Sequence, residues 1–403
     1  LKYAENLLVT SSERKAHQRY WIPRSRIDDN MSLADAIEGT KEALLNSVKI
    51  RLRADVPLAF CLSGGVDSAA LVSMAAKEFE AKVTTFSIID SDERYNEEDN
   101  IMATISDIGC EYHLMSVKQA NPLQQLTKLI EYHDAPVATI SYYVHSMISK
   151  AVKENGFKVS FSGTSADELF TGYYDHFILH LNEMRSTENY STYLNDWSDK
   201  VRHFIRNPHF QNPDLYHCNP SFRDHIFDAN EQLIPFFVEP FEENFTEENF
   251  TDNLLRNRML NELFHETTPL VLHEDDLNSM FNSVENRSPY LDSKLLEFSY
   301  SIPSRHLIKD GFGKYVLREA TKDLLNDQVR LDRRKKGFNA SINSMLDFQN
   351  PYIRESLLDS SSEIFSIIDR TKLKNLLSQP SQPNHFSKFI FNFINAKIFL
   401  ELN

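Results

Sequence analysis

The chain has 403 residues, of which 41% are hydrophobic and 25% are charged, and its formal net charge at pH 7 is −15. This length and composition are typical of a globular protein with a large core that divides into two regions. Nucleic-acid binding is disfavoured because contacts to phosphates need clustered Lys and Arg. No apolar run approaches the ~18 residues of a membrane span and no signal peptide is visible, so we expect a cytoplasmic protein without a membrane partner.

The cysteines agree with that compartment. Cys61, Cys110 and Cys218 lie far apart and show no metal-ligand spacing, which is typical of reduced thiols in a cytosolic protein. The apolar neighbours of Cys61 favour packing in a strand over a role as a nucleophile.

The first predicted feature is a connecting segment over residues 1–30, which is polar with scattered aromatic residues and ends in Tyr20-Trp21-Ile22-Pro23. Because Leu1 is not an initiator methionine, we expect this segment to continue from a longer polypeptide. Residues 31–181 are predicted to form an α/β core, and residues 182–403 a mainly helical region.

Short apolar runs alternate with segments of helical apolar spacing through residues 31–181, as a doubly wound, mostly parallel sheet requires. Beyond Asn182 the alternation stops and the spacing predicts helices. The predicted strands are Leu58–Leu62, Val83–Ile89, Glu111–Val117 and Lys158–Phe161, and the predicted helices of the core are Met31–Arg53, a helix opened by Asp67, Glu97–Gly109, Pro122–His133 and Ser141–Asn155.

The loop Ser63-Gly64-Gly65-Val66-Asp67-Ser68 directly follows the first of these strands. Its glycines let the backbone turn sharply and direct several N–H groups into one space, to which the next helix adds the positive end of its dipole. The pattern predicts a phosphate site, in which Asp67 fits if a divalent cation lies between its carboxylate and the phosphate. Serine and glycine also form ordinary tight turns, and the Gly-Lys-Ser/Thr ending of a P-loop is missing. The loop resembles the SGGxDS pyrophosphate loop of enzymes that split ATP between its α and β phosphates.

A second loop of small residues, Ser162-Gly163-Thr164-Ser165-Ala166-Asp167, follows the fourth predicted strand. Ligands of parallel sheets gather beyond the C-terminal ends of the strands. If the two strands are neighbours, Asp67 and Asp167 meet there and offer two oxygen ligands to Mg2+. Asp167 alone is typical of a helix cap, but together with the first loop it predicts a magnesium site.

Two later segments, Lys314 to Arg318 and Arg333 to Phe338, supply cations to this acidic protein. A basic run is usually a solvated face. With ATP bound at the two loops, however, one or two lysines are needed to offset the charge of the departing pyrophosphate.

These segments, in this order, resemble the synthetase domain, an N-type ATP pyrophosphatase, of the glutamine-hydrolysing asparagine synthetase family. The resemblance extends over most of the chain and implies a sheet of the adenine nucleotide alpha hydrolase-like type. The similar segments are Tyr20–Pro23 (the family's linker), Phe86–Ile88 (FSIGF), Tyr95–Glu97 (YDE), His133–Pro136 (HDEP), Asp167–Phe170 with Gly172 and Tyr173 (DELFGGY), Val284–Asp292 (LExRVPFLD) and Arg333–Phe338 (RxKxGF).

The resemblance also implies roles for single residues. Lys314 and Lys335 would stabilise pyrophosphate and the transition state of acyl-adenylate formation, while Thr164 occupies a position that varies with the chemistry performed. Asp67 and Asp167 would bind Mg2+. Pyrophosphate would be held by Ser63, Gly64, Gly65 and Ser68. The site for the AMP portion of the nucleotide would be lined by Cys61, Ile88, Ser162 and Gly163.

The implied reaction begins when a substrate carboxylate attacks the α-phosphate of ATP. Ammonia then captures the acyl-adenylate, giving an amide, AMP and pyrophosphate. Activation is needed because a carboxylate oxygen is a poor leaving group, and cations and loop amides would stabilise the developing charge. The expected cofactors are ATP and Mg2+, and the expected partners are a carboxylic acid, ammonia, a glutaminase domain preceding Leu1 and a second copy of the chain in a homodimer.

The chain departs from the family at three motif positions. Thr164 stands where asparagine synthetases carry Glu and β-lactam synthetases carry Tyr. Glu274-Asp275-Asp276-Leu277 replaces the family's KxDR, and Ala135 replaces the glutamate of HDEP. Aspartate is therefore in doubt as the substrate.

Three alternatives follow from these departures. Thr164 and Glu274 motivate amidation of a sugar uronic acid in the synthesis of surface polysaccharide. Closure of a β-lactam ring is disfavoured because the tyrosine of that enzyme class is missing. A degenerate nucleotide-binding domain is the alternative outside enzymes, and the retention of both aspartates and both lysines disfavours it.

Overall fold

The computed structural model describes residues 2–13, 18–23, 26–227, 230–240, 245–335, 340–379 and 383–403. Its main sheet has five strands, all parallel, in the spatial order β5-β4-β3-β6-β7, and two short strands, β1 and β2, form a separate antiparallel pair. The strands are β1 (Glu5–Asn6), β2 (Gln18–Arg19), β3 (Leu58–Cys61), β4 (Thr84–Ile89), β5 (Glu111–Ser116), β6 (Val159–Phe161) and β7 (Glu285–Arg287).

Strand β3 lies at the centre of this sheet. Its Ala59 pairs with Thr84 of β4 on one side and with Ser160 of β6 on the other. Because the chain leaves β3 for β4 and later returns to β3's other side as β6, the loops that follow β3 and β6 are neighbours at one edge. This is the topological switch point at which open α/β sheets bind their ligands.

The predicted α/β class and its four strands are confirmed, with strand ends within one residue of the prediction. The sequence does not predict β7, which adds a fifth strand from the region expected to be helical. Its three residues, Glu285-Asn286-Arg287, are polar and lie at the edge of the sheet, where Glu285 pairs with Val159. An apolar run is therefore not required there, and the pattern that marks buried strands is missing.

The five helices predicted for the core are also present. A capping box of Ser32 and Asp35 begins the first helix, and Gly109, with φ +70°, ends the third in the left-handed conformation that glycine adopts readily. These helices are α1 (Leu33–Arg51), α2 (Val66–Lys77), α3 (Glu98–Ile108), α4 (Pro122–His133) and α5 (Ile140–Glu154).

Helices cover both faces of the sheet, and successive residues of a strand point to opposite faces. Phe60 packs in the larger core cluster with residues of α1 and α2. Its neighbour Ala59 joins Phe86, Ile148 and Val152 in a cluster on the side of α5. The apolar run that predicted β3 therefore corresponds to a strand buried on both faces.

The later part of the chain is mainly helical, as predicted. The boundary between the two regions, predicted at residue 181, falls inside helix α7 (Tyr174–Met184) and stays a prediction. The described part of the chain contains no candidate membrane-spanning helix. The remaining helices are α6 (Ala166–Phe170), α7 (Tyr174–Met184), α8 (Tyr190–Lys200), α9 (Leu215–Cys218), α10 (Asn230–Leu233), α11 (Leu254–Phe264), α12 (Thr267–Phe281), α13 (Ser293–Ser299), α14 (Tyr315–Ala320), α15 (Asp327–Arg330), α16 (Ile342–Met345), α17 (Pro351–Leu357), α18 (Arg370–Leu377) and α19 (Asn384–Leu402).

Candidate active site

The loop after β3 is closed by its own hydroxyl groups. The Ser63 N–H donates to Ser68 Oγ at 3.1 Å, and the two serine hydroxyls lie 3.1 Å apart. Gly64 has φ +83°, and a Cβ there would lie 2.8 Å from the Cβ of Glu97, so only glycine fits without a shift. The loop therefore makes the sharp turn that its glycines predict, and Asp67 lies in the first turn of α2.

The loop after β6 lies directly against the first loop. A Cβ added to Gly163 would be 3.0 Å from the backbone nitrogen of Ser68 and 3.3 Å from the Cβ of Asp67. The buried Tyr290 hydroxyl donates to the Asp67 carbonyl oxygen at 3.1 Å and so fixes the same turn from the other side. The two loops thus form one continuous rim at the C-terminal edge of the sheet.

Lys314 joins the two carboxylates of these loops. Its Nζ lies 2.5 Å from Asp67 Oδ2 and 2.5 Å from Asp167 Oδ1. Lys335 Nζ lies 2.7 and 2.6 Å from the two carboxylate oxygens of Asp167. The predicted site requires that the two strands before these loops be neighbours. This condition is met, because β3 and β6 are paired and bring Asp67 and Asp167 side by side.

The lysines decide the charge state of Asp167. Burial alone would raise the pKa of Asp167, but the ammonium groups of Lys314 and Lys335 outweigh it and hold that pKa below its ordinary value. Burial likewise opposes the charge of Lys335, yet Asp167 and Asp67 raise its pKa above the ordinary value. Asp167 and Lys335 are therefore held in their charged forms at neutral pH.

The backbone holds Lys314 in place. Its φ is +56°, in the left-handed region, and its N–H donates to the Phe170 carbonyl oxygen at 3.0 Å. Gly172 leaves room for the ion pairs, since a Cβ there would lie 1.5 Å from Asp167 Oδ1 and 2.5 Å from Lys314 Cε. The glycine of the predicted Gly-Tyr pair is thus needed for space beside the carboxylate.

The two carboxylates fit a divalent cation. Asp67 Oδ1 is buried and has no hydrogen-bond partner among the described residues. A buried oxygen without a partner is costly, and carboxylate oxygens are the donors that Mg2+ prefers. Asp67 and Asp167 would hold such an ion, which would take over charge that Lys314 now balances.

A cavity of ≈ 290 Å³ opens above the two loops. Gly64 and Ile88, two of the predicted nucleotide-binding residues, are not among the residues that line it, and Ile88 instead packs against apolar clusters. The predicted site residues that line the cavity are Cys61, Ser63, Gly65, Asp67, Ser68, Ser162, Gly163, Thr164, Asp167, Lys314 and Lys335.

Cys61 lines the cavity as a thiol. Burial raises its pKa to about 12, so a thiolate does not form at neutral pH. This agrees with the prediction that Cys61 packs in a strand and is not a nucleophile.

Of the three departures from the family motifs, the segment 274–277 reaches the cavity through Asp275, and Thr164 lines it directly. Its hydroxyl lies 3.1 Å from that of Ser162, which in turn lies 3.1 Å from that of Ser288. Glu274 is 4% exposed and accepts the Ala138 N–H at 3.1 Å, outside the cavity lining. Among the departures, Thr164 and Asp275 are therefore the positions that can contact a substrate.

Two side-chain contacts at the cavity wall are not predicted by the sequence reasoning. His145 Nδ1 lies 2.6 Å from Asp275 Oδ1, joining α5 to α12, and the Tyr173 hydroxyl donates to Glu168 at 2.6 Å. His145 and Asp275 are separated by 130 positions, so no local spacing indicates the pair. Lys336, Gly337 and Phe338 of the predicted basic motif lie outside the described residues.

The fold and this site define a class, the α/β proteins with a phosphate-type loop and paired carboxylates at the switch point of a parallel sheet. A family profile described as asparagine synthase matches residues 39–400. The chain therefore belongs to the asparagine synthase family.

Two curated relatives illustrate the range of that similarity. The chain is 26% identical over 347 residues to the glutamine-hydrolyzing asparagine synthetase 1 of Bacillus subtilis (strain 168), covering 82% of this chain and 54% of the relative. It is 23% identical over 378 residues to amidase chyE of Penicillium rubens, covering 80% and 56% of the two chains. The chain thus spans about half the length of these relatives.

Among solved structures, one similar chain is a tRNA thiolase, NcsA, from Methanococcus maripaludis. It is 14% identical with a TM-score of 0.25, and the match covers 62% of this chain and 82% of the other.

The substitution Gly172→Ala tests the packing of the ion pairs. Its methyl group would overlap Asp167 and Lys314, so we expect affinity for Mg-ATP, measured by isothermal titration calorimetry, to fall by at least about tenfold. The circular dichroism spectrum serves as the control for an intact fold. Unchanged affinity in a folded variant would contradict this account of the site.

Glu168 predicts a pH-dependent stability. It is 2% exposed, and burial raises its pKa to about 7, above the ordinary value of 4.5. The protonated form therefore stabilises the fold fully below pH 4.5, and this contribution is lost as pH rises through 7. Relative to Glu168→Gln, the wild-type free energy of unfolding in urea should fall by about 1 kcal/mol or more between pH ~5 and ~8.

The matched control for this comparison is Glu355→Gln, which changes an exposed glutamate of α17. Its stability curve should follow that of the wild type at every pH. If the Glu168→Gln curve also runs parallel to the wild type, burial of a protonated Glu168 is refuted.

Proposed function

We propose that this chain uses ATP and Mg2+ to activate a carboxylic acid as an acyl-adenylate, which ammonia then converts to an amide. The observation that carries the proposal is the pair of adjacent loop carboxylates, Asp67 and Asp167, joined by Lys314, with Lys335 on the Asp167 side. Membership of the asparagine synthase family supports it. A degenerate binding domain would not need to keep all four charged groups in contact.

The first step transfers AMP to the substrate. A carboxylate oxygen of the acid attacks the α-phosphorus of ATP, the bond to the bridging oxygen breaks, and pyrophosphate leaves with the electron pair. When bound, Mg2+ supplies positive charge that stabilises the phosphate oxygens. The loop N–H groups of Ser63–Ser68 and the ammonium groups of Lys314 and Lys335 stabilise the charge that collects on the pyrophosphate.

The second step forms the amide. Ammonia attacks the carbonyl carbon of the acyl-adenylate, and AMP leaves with the electron pair while one proton of the nitrogen is lost. Thr164 cannot take that proton as a carboxylate would. The cavity instead offers the imidazole of His145, hydrogen-bonded to Asp275, and the carboxyl group of Glu168, whose pKa is raised by burial to about 7.

The nitrogen source in this proposal is glutamine, hydrolysed by a glutaminase domain of the full protein. Relatives named as glutamine-hydrolysing support it, as does the fact that this chain spans about half of their length. A cytoplasmic setting agrees with the three free cysteines, and the homodimer stays a prediction.

The acid is proposed to be aspartate or a related acid. Thr164, whose hydroxyl joins a short chain of serine hydroxyls, favours an acid that differs from aspartate, because asparagine synthetases carry a glutamate there. The names of the relatives are compatible with more than one acid substrate, since they include both asparagine synthetases and amidases. Amidation of a sugar uronic acid is therefore kept as the second candidate.

Lys335→Ala and Asp67→Asn test the activation step. Lys335→Ala removes a cation that the proposal places at the phosphates, and Asp67→Asn removes a carboxylate that it places on Mg2+, so we expect turnover to fall at least about a hundredfold in each. The measurement is ATP-dependent release of pyrophosphate with a panel of acids that includes aspartate and a uronic acid. Lys374→Ala, at an exposed lysine of α18, is the matched control. Near-normal turnover in both site variants would refute the mechanism, and a response to aspartate alone would exclude the uronic acid.

Thr164→Ala tests which part of the cavity receives the acid. Loss of one hydrogen bond, worth about 1 kcal/mol, should raise the KM for the acid about fivefold and leave the affinity for Mg-ATP unchanged. Steady-state kinetics and calorimetry measure the two quantities. Thr127→Ala, on α4, serves as the control. An unchanged KM would place the acid away from Thr164.

A further inference from the structure

The cationic side chains around the cavity differ in how their charge is balanced. Lys314 and Lys335 pair with the loop aspartates, and Arg334 pairs with Asp332 and Asp99. Two further arginines, Arg318 and Arg333, also line the cavity. Within the described part of the chain neither of them forms an ion pair with a carboxylate. The part of the cavity wall that they form therefore carries uncompensated positive charge.

Arg318 is held in position by backbone oxygens. Its Nε donates to the Gly313 carbonyl oxygen at 3.0 Å, and one terminal nitrogen donates to the carbonyl oxygen of Arg330. These carbonyls orient the guanidinium but do not neutralise it. Burial lowers the pKa of Arg318 to about 10, because a charge is unfavourable away from water.

Arg318 also lies on the same side as the lysine that joins the two loops. Its N–H donates to the Lys314 carbonyl oxygen at 2.9 Å, which places it one helical turn further along α14. Among the carboxylates, Asp67 attracts the charge of Arg318 most strongly, so the arginine extends the phosphate end of the cavity.

Arg333 shares an aromatic ring with Arg318. Its guanidinium carbon lies 3.7 Å from the centre of the Phe312 ring, and that of Arg318 lies 5.3 Å from the same ring. Arg333 donates to the Asp310 carbonyl oxygen at 3.2 Å, while its Nε is buried without a hydrogen-bond partner among the described residues. Asp196 and Asp310 attract its charge without reaching ion-pair distance. The ring therefore aligns two guanidinium groups that both have donors to spare.

We propose that Arg318 and Arg333, aligned on Phe312, form an anion subsite that binds the terminal phosphates of ATP and retains pyrophosphate as it leaves. Guanidinium groups match phosphate oxygens with two parallel hydrogen bonds, and a buried cation is stabilised when an anion arrives. The inference rests on the proposed function for the identity of the nucleotide. Because Arg318 lies beside Lys314, the phosphates that this subsite binds are those of the ATP tail and not those of a phosphorylated acid substrate.

The test compares ligands with and without the terminal phosphates. Mg-ATP, AMP and Mg-pyrophosphate are titrated into the wild type, Arg318→Gln and Arg333→Gln by isothermal titration calorimetry. Each variant should bind Mg-ATP and Mg-pyrophosphate at least about tenfold more weakly and bind AMP within about twofold of the wild type. Arg333→Gln keeps the test decisive if Arg318→Gln does not fold, since Arg333 is less buried.

A matched control is Arg370→Gln. Arg370 also lies over a phenylalanine ring, Phe365 at 5.9 Å, and donates to a carbonyl oxygen, that of Leu358 at 2.7 Å, but it is not among the residues that line the cavity. All three affinities should be unchanged in this variant.

The outcomes separate this inference from the proposed function. Equal losses for AMP and Mg-ATP, or normal affinity for both Mg-ATP and Mg-pyrophosphate in the variants, would overturn the subsite. Weaker Mg-pyrophosphate binding with normal Mg-ATP binding would overturn its assignment to the ATP tail. Arginine-dependent binding of Mg-pyrophosphate in a wild type that does not bind Mg-ATP would support the anion subsite and overturn the nucleotide function. A wild type that binds neither would overturn both.

Discussion

The contact of Asp67 and Asp167 with Lys314 is the interaction on which the rest of the site depends. Parallel pairing of β3 and β6 brings two loops together, and two carboxylates so close would repel each other. Lys314 offsets that repulsion, and its left-handed backbone conformation keeps its ammonium group between them. Protein side chains alone therefore hold the site together, and a cation or a phosphate would exchange partners within this charge network.

The two sequence regions contribute opposite charges to this network. The α/β core provides the carboxylates, whereas the later region provides Lys314, Lys335, Arg318 and the hydroxyl of Tyr290 that fixes the first loop. Strand β7 also comes from the later region and completes the sheet. The cavity is consequently formed by both regions, and the core alone would hold two uncompensated aspartates.

The motif departures acquire different meanings in three dimensions. At the level of sequence, Thr164, Glu274 and Ala135 all cast doubt on aspartate as the substrate. In the structure Glu274 is buried against Ala138, with its carboxylate 3.6 Å from His133, and neither it nor Ala135 lines the cavity. Thr164 lines the cavity, and so does Asp275 of the same replaced segment as Glu274, so the departures can affect the choice of acid at these two positions.

The sequence by itself determined the strands, the core helices and the two loops, because apolar runs, glycines and capping residues act through neighbours along the chain. It also indicated which aspartates and lysines belong together, through ordered motifs. Only the tertiary structure decided that β7 joins the sheet, that His145 meets Asp275 across 130 positions, and that Arg318 and Arg333 share Phe312. These contacts join separate elements whose packing no local spacing specifies.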